Sequence, residues 1–363
     1  MRIHELDTPT LVVDLDRLGA NLDRMAQAAR AAGLRLRPHT KTHKTPQIAR
    51  LQIERGAAGI TVAKVGEAEV MAAAGLDDIF IANQIVGPKK ISRLVELAHK
   101  VTLAVGVDST EVAAPLSMAF AQQGMRIPVL LEIDIGYHRC GVAPADAPDL
   151  VRHLNALPGL HLVGLFTYPG QVYAARNVSE REGLAAHEAR TLSDLAKALA
   201  PIADVSERLS GGSTPTACCY QPECGLTEIR PGTYVFNDRM QLDRGTARPQ
   251  DCALTVLATV ISTPAPDRAV LDAGSKSLSS DLAPESPGYA ALKEDLDAVV
   301  VKVNEEHGFL DLSKTSLRLH VGDKVELIPN HCCVTCNLFD EIVATRGGEV
   351  VQTWPVEARG RIR

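Results

Sequence analysis

Leu34-Arg35-Leu36-Arg37-Pro38-His39-Thr40-Lys41-Thr42-His43-Lys44 decides how this chain folds. The first five residues read as a short strand, and the six that follow form a basic loop. Working outward, the same unit recurs. Short apolar or β-branched runs fall at 11–15, 34–38, 59–63, 78–83, 101–107, 127–135, 160–167, 207–210 and 227–234. Between them lie stretches such as 18–32, 67–74, 92–99 and 180–199, whose apolar residues return at helical spacing. Repeated β-α units predict parallel strands joined by right-handed crossovers. If the first run belongs elsewhere, eight remain, enough to close a (β/α)8 barrel.

Near residue 240 the pattern changes. Runs at 253–262, 268–272, 298–303, 316–320, 324–329, 341–346 and 349–353 read as strands separated by turns, and Gly347-Gly348 is a hairpin signal. The expected fold class is therefore α/β: a (β/α)8 barrel plus a C-terminal antiparallel β domain that also takes the N-terminal strand. The domains are expected at 16–242 for the barrel, with 1–15 and 243–363 forming the β domain.

Composition narrows the function. The 363 residues are 45% hydrophobic and 23% charged, and 38 Lys+Arg against 44 Asp+Glu give a net charge of −6. With no dense basic run and only 4% aromatics, the pattern argues against a nucleic-acid-binding surface. No apolar run approaches the roughly 18 residues of a membrane span, and Met1-Arg2-Ile3-His4 does not open a signal peptide. Eight cysteines include the adjacent pairs Cys218-Cys219 and Cys332-Cys333, poor disulfide partners. The expectation is a cytoplasmic metabolic protein.

In a parallel barrel, functional groups gather where strands end. Here the strand ends lead into His39 to Lys44, then Gly136-Tyr137-His138-Arg139-Cys140-Gly141, then Tyr168-Pro169-Gly170-Gln171, then Gly211-Gly212-Ser213-Thr214-Pro215-Thr216, with Tyr234 closing the last run. Each has a plain structural reading. The basic loop is a solvated turn, Arg139 a rim ion-pair partner, and 211–216 a helix N-cap with Pro in the first turn. Together they suit something more particular. A lysine, a phosphate cradle and an arginine on one barrel mouth fit pyridoxal phosphate held through a Schiff base.

These residues, with Glu228-Ile229-Arg230-Pro231-Gly232-Thr233-Tyr234, Asn304-Glu305-Glu306-His307-Gly308 and Pro329-Asn330-His331-Cys332-Cys333, give the chain a family resemblance. It resembles the fold-type III, alanine-racemase-like pyridoxal-phosphate enzymes, within the D-threonine aldolase and D-serine dehydratase group, over nearly its whole length. The resemblance implies that Lys41 carries the cofactor and that Arg139 contacts its ring or phenolic oxygen. It places Gly212, Ser213 and Thr214 at the phosphate, with Tyr168 and Tyr234 lining the pocket.

His331 and Cys333 stand two apart, so on a strand both would point to one face and could share a metal. By spacing alone a buried pair is the plainer reading, but the resemblance implies a divalent ion in the β domain. Sulfur favours zinc; manganese is the other expectation and magnesium a further candidate. Two ligands would leave positions for water and a substrate hydroxyl. The activity expected is cleavage of a small-molecule 3-hydroxy-D-amino acid to glycine and an aldehyde, with metal-bound hydroxide or His43 as base. D-serine or 3-hydroxy-D-aspartate dehydratase is the alternative, with Lys41 taking the α-proton, and a non-catalytic cofactor carrier is the third. Departures from the family pattern cut both ways. Gln171 stands where relatives carry His, and Cys333 leans toward the dehydratases, while 262–266 and 272–277 look aldolase-like. By analogy with such barrels a homodimer is expected, with no nucleic-acid or membrane partner.

Overall fold

The structure, a computed structural model, describes residues 1–283 and 286–363. Its contacts divide the chain into two compact units: Arg24–Lys41, Pro46–Gly232 and Arg361–Arg363 in one, Met1–Asp23, Thr42–Thr45 and Thr233–Gly360 in the other. The first strand, β1 (Thr10–Asp14), belongs to the second unit.

The first unit is a parallel barrel. Its strands are β2 (Arg35–Leu36), β3 (Ile60–Val62), β4 (Asp78–Gln84), β5 (Thr102–Val107), β6 (Ile127–Glu132), β7 (Leu160–Phe166), β8 (Arg208–Gly211) and β9 (Glu228–Ile229). Consecutive strands pair in parallel from β3 to β9, and β9 pairs with β2. A bridge between His39 and Thr61 joins β2 to β3, with the Thr61 amide donating to the Pro38 carbonyl at 2.9 Å. The cylinder is therefore closed, as eight β-α units predict. Several ladders are shorter than the apolar runs that announce them. Residues 34–38 and 227–234 yield two paired residues each, because the chain leaves the ladder to build the loops at the mouth.

Inside, Phe80, Ala104, Leu130, Val163 and Phe166 form an apolar layer, with Phe80 and Phe166 edge to face at 5.3 Å. Charge lies beside it. The buried Glu228 carboxylate takes bonds from Arg37 (2.7 Å), Arg208 (3.3 Å) and Ser210 (2.7 Å), and Arg37 also reaches Asp78 at 2.6 Å. A buried carboxylate persists only when paired this fully.

The second unit is built on a nine-stranded sheet. Its remaining strands are β10 (Leu254–Ala265), β11 (Arg268–Leu271), β12 (Ala290–Leu292), β13 (Val299–Val303), β14 (Gly308–Asp311), β15 (Lys324–Pro329), β16 (Glu341–Arg346) and β17 (Glu349–Pro355). The order is β11-β14-β13-β12-β15-β10-β1-β16-β17. β1 runs antiparallel to β10 and parallel to β16, so the N-terminal strand does join the C-terminal sheet. Leu6, Val12, Leu257 and Val343 pack there. Arg346 pairs with Glu349 across Gly347 and Gly348, both at positive φ (56° and 79°), the backbone a two-residue hairpin requires.

One strand reading needs correction. Residues 316–320 alternate in exposure as a strand would, yet no described strand pairs with them. Conversely, β12 and β14 form from short runs with weak strand preference, Ala-Ala-Leu and Gly-Phe-Leu-Asp, because the neighbouring ladders accept them. Among the described residues no helix is long and apolar enough to cross a membrane.

Candidate active site

Lys41 follows β2 on a single 3-10 turn, Thr40–Thr42, where its amide donates to His39 Nδ1 at 3.4 Å. Its ammonium lies 5.8 Å from the centroid of the Tyr168 ring, which follows β7. The Arg139 guanidinium covers the same ring at 4.7 Å and stands 5.5 Å from the Tyr137 ring. Tyr137 and Tyr168 meet edge to face at 5.5 Å. Lys41 and Arg139 thus converge on one aromatic ring at the end of the barrel.

Asp134 explains why Arg139 returns there. Its Oδ1 accepts the amides of Gly136, Tyr137 and His138 at 2.9, 3.1 and 3.1 Å, curling the loop through Gly136 at φ 107°. The sequence reading passed over Asp134, although an Asp two residues before a Gly is an Asx-turn signal. Behind Arg139 lies the buried Glu132, bonded to Gln84 and 3.9 Å from the guanidinium. Burial raises the Glu132 carboxyl, against the pull of Gln84 and Arg139. Asp108, Glu132 and Cys140 bring three donor atoms within 4.8 Å of one another, a second cluster at this end.

Residues 211–216 do not begin an α-helix. They pass from β8 into a series of turns, with the Thr216 and Ala217 amides both donating to the Ser213 carbonyl, at 3.2 and 2.9 Å. The expected N-cap is corrected to a tight turn, imposed by Gly212 at φ 79°. Ser213 is buried, its amide donating to Thr216 Oγ1 at 2.9 Å. An amine, a cation, an aromatic wall and a left-handed glycine turn carrying hydroxyls fit pyridoxal phosphate: Lys41 would link it, Arg139 and Tyr168 face its ring, and Gly212, Ser213 and Thr214 hold its phosphate.

The second unit carries Tyr234, His43, His331 and Cys333. Tyr234 is buried in the turn Thr233–Val235. His331 and Cys333 are not on a strand. β15 ends at Pro329, His331 is extended at φ −136°, and Cys333 lies in the first turn of the short helix Cys332–Cys336. A strand-to-helix corner instead brings the two side chains near enough to act on each other's charge. Cys333 Sγ is 3.3 Å from Thr42 Oγ1 and 3.8 Å from Thr233 Oγ1.

A hydrogen bond from Cys332, the charge of His331 and the Thr42 hydroxyl hold the Cys333 thiol well below its ordinary range, against the effect of burial. Burial opposes charge on His331, but Cys333, Asp238 and Asp281 outweigh it and carry the imidazole up to about 10. His331 Nδ1 meets Asp281 Oδ2 at 2.7 Å. A thiolate beside an imidazole whose other nitrogen is held by a carboxylate is a donor set that fits a zinc-like ion. Asp281 lies 50 residues from His331, and no local signal announces it. His43 is fully buried, its Nδ1 accepting the Thr45 amide at 3.1 Å and its ring edge-on to Phe236 at 6.5 Å.

Comparison with known proteins places this geometry. Residues 13–240 match the family described as alanine racemase, N-terminal domain, and residues 253–345 match a serine dehydratase domain. The chain belongs to the fold-type III, alanine-racemase-like pyridoxal-phosphate family, in its D-threonine aldolase and D-serine dehydratase group. It is 36% identical to a D-threonine aldolase from Arthrobacter sp. over 98% of this chain and 93% of that one. The solved D-threonine aldolase from Filomicrobium marinum superposes with a TM-score of 0.90 at 34% identity, covering 99% of this chain and 98% of that one. The D-threo-3-hydroxyaspartate dehydratase of Delftia sp. HT23 does so with a TM-score of 0.90 at 34% identity, covering 98% of each chain. These relatives are lyases, and pyridoxal phosphate is the cofactor expected of the family.

Proposed function

We propose that this protein is a pyridoxal-phosphate- and divalent-metal-dependent lyase that splits 3-hydroxy-D-amino acids into glycine and an aldehyde, in the manner of a D-threonine aldolase. The observation that carries the reading is the convergence of Lys41 and Arg139 on the Tyr168 ring. When bound, pyridoxal phosphate supplies a sink for the electron pair left at Cα, and the metal supplies a Lewis acid for the β-hydroxyl.

The chain's own groups divide the remaining work. Lys41 would hold the cofactor through its amine. Arg139, over the Tyr168 ring, would supply a fixed positive charge beside the bound group. Gly212, Ser213 and Thr214 would hold the phosphate, with the Ser213 and Thr214 hydroxyls as donors, since the Gly212 and Ser213 amides are committed to Glu188 and Thr216. His331 and Cys333 hold the ion, and Asp281 orients the imidazole. His43 stays the candidate base for the hydroxyl proton, its Nδ1 fixed by the Thr45 amide at 3.1 Å and its ring edge-on to Phe236.

A second reading, D-serine or 3-hydroxy-D-aspartate dehydratase, is favoured by one feature, the cysteine of the ligand pair. Solved variants of the D-threo-3-hydroxyaspartate dehydratase replace a histidine and a cysteine by alanine at positions two apart, as His331 and Cys333 are, and the cysteine variant is a metal-free form. In that reaction Lys41 would take the α-proton, and a metal held at His331 and Cys333 would supply the Lewis acid for the leaving hydroxyl.

Product analysis separates them. Incubation with D-threonine and D-serine, with and without chelator, should give glycine and acetaldehyde from D-threonine only when metal is present. Ammonia and a keto acid would make the dehydratase reading correct. No product from any 3-hydroxy-D-amino acid would leave a cofactor carrier.

A further inference from the structure

Beneath the turn at 211–216 lies a carboxyl that the reaction above does not use. Glu188 sits on the buried face of the helix Val178–Leu199 and is fully enclosed. Its Oε1 accepts the Gly212 amide at 2.8 Å and its Oε2 bonds the Tyr220 hydroxyl. The carboxyl is so close under the turn that a Cβ on Gly211 would lie 2.4 Å from Oε1. Tyr220 is also 3.1 Å from Thr216 Oγ1. Thr216 Oγ1 in turn is 3.2 Å from Ser213 Oγ and 3.3 Å from the Ser213 carbonyl. Exchangeable protons therefore run without a break from Glu188 to Ser213.

Thr216 Oγ1 accepts the Ser213 amide at 2.9 Å and gives its own proton to the Ser213 carbonyl, so one lone pair remains, which either Tyr220 or the Ser213 hydroxyl can fill. When Glu188 is charged, Tyr220 donates into it, and the lone pair left open on Thr216 lets the Ser213 hydroxyl turn its proton inward. When Glu188 is protonated, the order reverses. The carboxyl donates to Tyr220 and Tyr220 to Thr216, which fills that lone pair and frees the Ser213 proton for an acceptor in the turn. The Gly212 amide keeps its acceptor in both states.

We propose that Glu188 is a positioning residue whose protonation, relayed through Tyr220 and Thr216, decides whether Ser213 offers its proton to a phosphate monoester, so that phosphate binding at this turn takes up a proton. The inference rests on the reading that residues 212–214 hold the cofactor phosphate. The charged and titratable groups facing Glu188 are Tyr220, beside Cys219, and the guanidinium of Arg230. Burial pushes Glu188 up to about 7, against the Tyr220 and Gly212 bonds and the Arg230 charge, so both states are populated near neutrality. Burial and the adjacent Glu188 push Tyr220 well above its ordinary range, which keeps it a neutral relay. A bound phosphate, like-charged to the carboxylate, favours the protonated state further.

The test is calorimetric titration of cofactor-stripped full-length protein with pyridoxamine 5′-phosphate, which makes no bond to Lys41. Buffers of different ionisation enthalpy report the protons taken up. At pH 7 the wild type should take up about half a proton more than Glu188→Gln, whose amide mimics the protonated carboxyl. Between pH 6 and 8 the wild-type Kd should weaken about tenfold relative to that variant. Tyr220→Phe, which breaks the relay while keeping the acid, should flatten the wild-type profile as well. Equal proton uptake in wild type and Glu188→Gln, or a full wild-type profile in Tyr220→Phe, overturns the proposal. Pyridoxamine without phosphate is the control for the underlying reading. If it binds as tightly as the phosphate ester, the turn is not the phosphate site and both readings fall; if only the pH profiles coincide, the Glu188 inference alone is wrong.

Discussion

Arg37 and Glu228 face each other inside the barrel, Nε to Oε2 at 2.7 Å, with both side chains buried. Burial raises the Glu228 carboxyl, but the charges of Arg37 and Arg208 outweigh it and hold it down to about 2. A carboxylate with a folded-state pKa below its unfolded value contributes stability that is present above about pH 4.5 and fades as pH falls toward 2. Glu228→Gln leaves Arg208 without its counter-charge and Arg37 with Asp78 alone, and should cost about 3–5 kcal/mol at neutral pH. Urea unfolding checks this. The wild type should lose its advantage over the variant as acid is added, and a constant difference from pH 7 to pH 3 would refute the pairing.

Lys41 should be the cofactor's attachment point. Lys41→Ala is expected to abolish pyridoxal phosphate fixed by borohydride, as read by peptide mass spectrometry. Lys44→Ala should retain the label, because the Lys44 ammonium is committed to Asn337 Oδ1 at 2.9 Å. Label mapped to Lys44 would reverse the assignment.

The ligand pair predicts a graded series. His331→Ala and Cys333→Ala should lose bound metal by elemental analysis and lower turnover by roughly two to three orders of magnitude, the worth of several kcal/mol of charge stabilisation. Cofactor content should persist, since Lys41 belongs to the other unit. Asp281→Asn removes only the support of the imidazole and should weaken metal affinity roughly 10–100-fold. A fully metallated Cys333→Ala protein would show that the sulfur is not a ligand.

Gly211 tests the seating of the carboxyl under the turn. An alanine Cβ there would meet Glu188 Oε1 at 2.4 Å and Cδ at 3.0 Å. Gly211→Ala should therefore destabilise the barrel by about 1–3 kcal/mol and loosen cofactor retention. Unchanged melting and unchanged cofactor affinity together would mean that Glu188 does not press against this backbone.

The sequence by itself determined what repeats locally. Strand-length runs alternating with helical spacing specified eight β-α units, Gly347-Gly348 specified its hairpin, and the basic residues after Pro38 put Lys41 at a strand end. Those features depend on neighbours a few residues away, where backbone preference and side-chain period act directly. Tertiary structure decided the rest. Residues 316–320 had a strand's alternation but found no partner, while Ala290–Leu292 had little preference and was recruited by its neighbours. His331 and Cys333 meet at a corner between strand and helix, so the spacing that suggested the pair gave the wrong geometry for it. Asp281 reaches His331 across 50 residues, and Glu188 reaches Gly212 across 24. Burial and partners at that separation fix the charge on each group, and neither is encoded in local pattern.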